Sequence, residues 1–179
     1  MKLSSPILTV LMAGSAVSAT PVVAQMKPLS DPVVAARDPA KLFTSTDRKL
    51  NRNKQAAYHI VKELLECNQW NRAPEWMTAR YIQHNPLAAS GRDGVMHYFI
   101  DIAKRQPKAT CDKMETPVVA VQAEGDYVTV LYVRELPIPG DPAKGSYTTT
   151  WFDTWRFLDG KADEHWDPAT LPEGTPPAG

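Results

Sequence analysis

Two aspartates, two histidines and three of the five tryptophans mark where this 179-residue chain could do chemistry. Asp153, His165 and Asp167 lie with Trp151, Trp155 and Trp166 in residues 147–167, which read YTTTWFDTWRFLDGKADEHWD. His84 stands upstream, three residues after Tyr81. A carboxyl surrounded by apolar rings is disfavoured in its charged form, which suits it to moving protons near neutral pH. Taking a proton from the carbon beside a carbonyl also requires a hydrogen-bond donor at the developing enolate oxygen. His84, Tyr81, His165 or Trp166 could supply that donor, with Asp153 or Asp167 as the base. Structural roles compete with these: an Asp153–arginine pair, His84 bonding to its own loop, His165 facing solvent or a partner, and Arg156 paired with Asp163 or Glu164.

The elements that must position these residues begin with a hairpin. Asp159-Gly160 separates two β-prone runs, and both central residues of a type I′ turn need positive φ. With a two-residue loop, Leu158 faces Lys161, Arg156 faces Asp163, and Asp153 faces Trp166. Alternation then places Trp151, Asp153, Trp155 and Trp166 on one face, with His165 and Asp167 on the other. A one-residue bulge before Asp167 would bring His165 and Asp167 to the aromatic side instead. Both registers remain open in the sequence. Upstream, a helix is expected over 47–66 from the stripe Ala57, Ile60, Val61, Leu64, Leu65. A second runs from Pro74 to Tyr81 or Ile82, and a third from a Ser90–Asp93 capping box to Arg105. Strands follow over 116–122 and 127–136, with a Pro- and Gly-rich loop at 137–145. Helices followed by strands indicate an α+β fold.

Lysine plus arginine and aspartate plus glutamate both number 20, and no basic patch points to nucleic acid. Lys2, the apolar run from Ile7 to Ala19 and the small residues before Ala24 read as an export signal over 1–24, with cleavage after Ala24 or after Ala19. A periplasmic or secreted protein, with no membrane association after cleavage, is therefore expected. Cys67 and Cys111 either form a bridge, as an oxidising compartment permits, or remain two buried thiols. An extended arm is expected over 25–46 and a disordered tail over 169–179. The four histidines lack metal-binding spacing, and no nucleotide fingerprint is present, so neither metal nor cofactor is expected.

The run Tyr81-Ile82-Gln83-His84-Asn85-Pro86, the glycine-led third helix and the pattern from Phe152 through Asp153, Arg156, Gly160 and Glu164 to Asp167 resemble the SnoaL-like polyketide cyclase family. That family belongs to the nuclear transport factor two-like superfamily. The resemblance spans about 47–168 and implies a cone: three N-terminal helices on a strongly curved antiparallel sheet, enclosing a pocket. It implies that Asp167 is the acid/base of an aldol-type closure. An assisting histidine of the family is replaced here, Asp153 standing in the matching region. A cofactor-free acid/base enzyme (aldol condensation, cyclisation or isomerisation) on a small hydrophobic carbonyl compound is the first expectation. A non-catalytic periplasmic module binding an apolar molecule through Tyr81, Trp151, Trp155 and Trp166 is the second. The outer face of such a sheet also offers a homodimer interface.

Overall fold

Helix α1, Arg48–His59, starts where Asp47 caps it, its carboxylate accepting from the Leu50 N–H at 2.8 Å. The coil then widens into a π-helical stretch, Ile60–Glu66, closed by the Cys67 N–H on the Lys62 carbonyl. Ala57, Ile60, Val61 and Leu64 of the predicted stripe are buried and Ala56 joins them, whereas Leu65 is exposed. This computed structural model describes residues 26–172; the expected export signal and the end of the expected tail, 173–179, lie outside the described residues.

The second predicted helix is mostly a strand. Pro74 does open a helix, but α2 covers only Ala73–Trp76, and strand β1 takes over at Met77–Gln83. Thr78 and Arg80 are drawn away from helical geometry because both donate to the Asp163 carboxylate on the facing strand. Helix α3, Arg92–His97, continues as a second π-helical turn, Tyr98–Ile102. Its predicted capping box does not form. Gly91 is the cap residue at φ 89°, a conformation side chains resist, and the Ser90 hydroxyl accepts from the Gln83 N–H instead.

Strands β2 (Val118–Glu124), β3 (Tyr127–Pro137), β4 (Ser146–Leu158) and β5 (Lys161–Trp166) form an antiparallel meander, and β1 joins β5 in parallel. The strand order is β1-β5-β4-β3-β2. Val118, Val128, Val130, Trp155, Phe157 and Ala162 turn inward against α1, giving the expected α+β layering. The arm is better anchored than its composition suggests. Ala36 N–H bonds the Val118 carbonyl at 2.8 Å, and Phe43, in a 3₁₀ turn, is fully buried. Among the described residues, no helix is long and apolar enough to cross a membrane.

Cys67 and Cys111 are disulfide-bonded, tying the end of the π-helical stretch to the segment before β2 across 44 residues of sequence. Closing a loop of that length stabilises the fold by about 4 kcal/mol in the chain-entropy model. Urea unfolding of Cys67→Ser/Cys111→Ser against the oxidised protein should show a loss of about that size. A loss below about 1 kcal/mol would mean the unfolded chain gains little from being untied.

Candidate active site

Hairpin β4–β5 decides which acids meet. Asp159 and Gly160 have φ of 50° and 81°, as a type I′ turn requires, and Leu158 faces Lys161. Phe157 pairs with Ala162, but Arg156 pairs with Glu164, so Asp163 is an extra residue in β5. Beyond this bulge the alternation inverts: Trp155 pairs with His165 and Thr154 with Trp166. Arg156 therefore does not face Asp163, nor Asp153 Trp166, as the unbulged register would have it. His165 and Asp167 turn inward beside Asp153.

Asp163 holds the bulge in place. It is only 1% exposed, and its carboxylate accepts from Thr78 Oγ1 at 2.7 Å, from Arg80 and from Arg156. The Arg80 hydrogen bond, followed by the Thr78 bond and the two guanidinium charges, keeps its carboxyl below the usual aspartate range. Glu164, facing outward, is likewise held low, first by His84 and then by Arg156.

The inward residues meet at one end of a cavity of about 270 Å³. His165 Nε2 lies 3.2 Å from Asp153 Oδ1, and its Nδ1 lies 2.7 Å from Gln83 Oε1. Gln83 Oε1 also accepts from the Asn85 N–H at 3.3 Å, which fixes that atom as the oxygen and assigns a proton to Nδ1. Nε2 and the Asp153 carboxylate would then both be acceptors, so one proton must sit between them. Asp167 is held differently. Asn85 Nδ2 donates to one of its oxygens at 2.7 Å and the Ala169 N–H to the other at 2.8 Å, the pattern of an ionised carboxylate. The Leu87 N–H on Asn85 Oδ1 fixes that amide's orientation.

Tyr81 adds a donor. Its buried hydroxyl accepts from Trp155 Nε1 at 3.2 Å, which leaves its own proton to give. Burial foremost, and then the Asp153 and Asp167 charges, pushes its ionisation far above the ordinary tyrosine range. Tyr132, also buried, lies beside Asp153 without reaching hydrogen-bond geometry, and burial again keeps it protonated. The apolar end of the cavity includes Trp70 and Phe99, whose rings stack at 3.9 Å, with Ile60 and Val95.

Of the residues the sequence singles out, Asp153, Asp167, His165, Tyr81 and Trp155 line this cavity. His84, Trp166 and Trp151 do not. His84 bonds Glu164 at 3.0 Å and stacks on Trp166 on the outer face, while Trp151 packs under the Arg134 guanidinium. Gln83, Asn85, Trp70 and Phe99 also line the cavity, though the sequence does not single them out as site residues. Read as a strand, 81–85 would have placed Tyr81, Gln83 and Asn85 on one face and His84 on the other. Ligand atoms of Asp153, His165 and Asp167 lie within 4.8 Å of one another, so a divalent ion could be held there only by giving up the His165–Asp153 hydrogen bond.

A family model for the SnoaL-like domain matches residues 61–165, more than half of the chain. The chain belongs to the SnoaL-like domain family. Similar solved structures of the SnoaL-like and NTF2-like kind include three bacterial proteins. One, from Acidithiobacillus ferrooxidans and named as a polyketide cyclase, is 13% identical with a TM-score of 0.46, covering 69% of this chain and 89% of its own. A protein from Jannaschia sp. CCS1, named as a SnoaL-like polyketide cyclase, is 15% identical at 0.46, covering 70% and 91%. An NTF2-like protein of unknown function from Burkholderia pseudomallei is 14% identical at 0.46, covering 66% and 91%. No curated protein matches this SnoaL-like chain.

Neutralising the clamp should unfix the site's register. Because folding lowers the proton affinity of Asp163 and Glu164, their stabilisation is complete above about pH 4 and is lost as the pH falls through their lowered folded values. Asp163→Asn should cost about 3 kcal/mol at neutral pH, the low end for breaking a buried pair, since both arginines keep Glu164. It should also flatten the acid limb of urea midpoints measured against pH. An unchanged acid limb would show that Asp163 is not the titrating group.

Proposed function

We propose that this SnoaL-like protein is an exported acid/base enzyme that works without a cofactor on a small hydrophobic carbonyl compound, by aldol-type condensation, cyclisation or isomerisation. One observation carries this reading: a carboxylate held ionised (Asp167) and a one-proton pair (Asp153–His165) stand together at the polar end of an apolar cavity. Asp167 takes a proton from the carbon beside the carbonyl, leaving the electron pair to form an enolate. The Tyr81 hydroxyl donates a hydrogen bond to the enolate oxygen, where negative charge develops. That carbon then attacks a second carbonyl, and the resulting alkoxide takes the proton held between Asp153 and His165. Asp167 returns its proton to the pair, which lies within 4.8 Å, and the cycle closes. In an isomerisation the same two groups exchange a proton between neighbouring carbons.

The disulfide supports export, since such bonds persist in oxidising compartments. Tyr127 and Phe152, exposed on the outward face of the sheet, support a second copy of the chain docking there. The rival reading, a binding module without turnover, is favoured by the mostly apolar walls.

Exchange of α-hydrogens for deuterium, followed by proton NMR on small β-diketones, tests the chemistry without the natural substrate. The wild type should accelerate exchange. Asp167→Asn should lower the rate by about 10²–10⁴-fold, the usual contribution of a positioned base. Tyr81→Phe should lower it by about 10–100-fold, below the ~10²–10³ of a single oxyanion-hole donor, because the indole remains nearby. Bound diketone with no exchange above buffer would leave the binding module as the better account.

A further inference from the structure

Resting on the acid/base reading above, we infer that the cavity accepts one- or two-ring compounds whose polar end is an uncharged carbonyl and turns away carboxylates. The charge count decides this. Asp153 and His165 share one proton and are together neutral, while Asp167 is ionised, so the polar end carries one net negative charge. Among the described residues lining the cavity, none is lysine or arginine. A second negative charge brought within about 4 Å, where the effective dielectric is far below that of water, is repelled strongly enough to weaken binding by on the order of 100-fold.

Hydrogen bonding points the same way. The Asn85 amide already donates to Asp167, and the Gln83 oxygen already accepts from His165. Tyr81 therefore lines the cavity with a hydroxyl proton to give, and the Trp70 indole N–H is also without a partner among the described residues. Both are neutral donors that suit a carbonyl oxygen and bring no positive charge to balance a carboxylate. Size sets the rest. At about 270 Å³ the cavity lies just below the ~300–1,000 Å³ range of small-molecule sites, too small to enclose a large fused-ring skeleton. The stacked Trp70 and Phe99 rings and the Trp155 indole offer flat apolar walls for a planar ring.

Isothermal titration calorimetry of the full chain at neutral pH, with acetylnaphthalene, methyl naphthoate and naphthoate, tests this at nearly constant ring size. The ketone and the ester should bind with similar affinity, and naphthoate at least tenfold more weakly. In Asp167→Asn, the gap between ketone and acid should shrink to within threefold. Naphthoate binding as tightly as the ester in the wild type would overturn the inference, whether or not the variant folds. An unchanged gap in a folded Asp167→Asn, or failure of all three compounds to bind, would also overturn it. Ketone binding without α-hydrogen exchange would sink the acid/base reading alone and leave the charge selectivity standing.

Discussion

One extra residue in one strand decides what this pocket contains. Without the bulge at Asp163, side chains on β5 would alternate so that His165 and Asp167 faced outward and Glu164 and Trp166 faced in. A bulge leaves a residue outside the ladder, and such a residue needs its own partners. Asp163 finds them in Thr78, Arg80 and Arg156, from the strands on either side. The clamp also shapes β1, whose pairing with β5 slips between Met77 and Ile82, opposite the bulge. The polar cluster outside the sheet and the chemical cluster inside it are thus two faces of the same register choice.

Inside, the geometry is organised by atoms that cannot change roles. Backbone N–H groups of Asn85 and Leu87 can only donate, so they fix the two amides that touch His165 and Asp167. The amides in turn set where a proton sits on the imidazole and which carboxylate receives an amide N–H. Asp153 and Asp167, chemically identical, are given different tasks by their neighbours: one shares a proton with His165, the other accepts two N–H groups. Tyr81, buried and kept protonated, completes a set containing both acceptors and donors.

Much of the frame was legible in the sequence because it depends on local signals. The stripe of α1, the Asp-Gly turn, the meander and the α+β order all follow from periodicity and turn chemistry. The two registers of the hairpin could be written down, but not chosen between, because the choice rests on Arg80 and Thr78, over eighty residues away from Asp163 in the chain. The segment after Pro74 departs from its helical signal for the same reason: a good helix start says nothing of the long-range pull that turns it into β1. His84, just past the end of that strand, faces outward to Glu164, while Gln83 and Asn85 reach the cavity. Trp166 falls on the outer face because the bulge inverts the alternation of β5, while Trp151 keeps the inward face of β4 but packs beyond the cavity, against the core and under Arg134.

The central claim is that the bulge brings a one-proton Asp153–His165 pair into the cavity, with its proton roles set by Gln83. Nitrogen-15 NMR of the His165 imidazole tests this most directly. The account predicts a protonated Nδ1 in slow exchange with water, and an Nε2 resonance that moves clearly in Asp153→Asn while Nδ1 keeps its proton. A bare Nδ1, or an Nε2 indifferent to the loss of the Asp153 carboxyl, would contradict it.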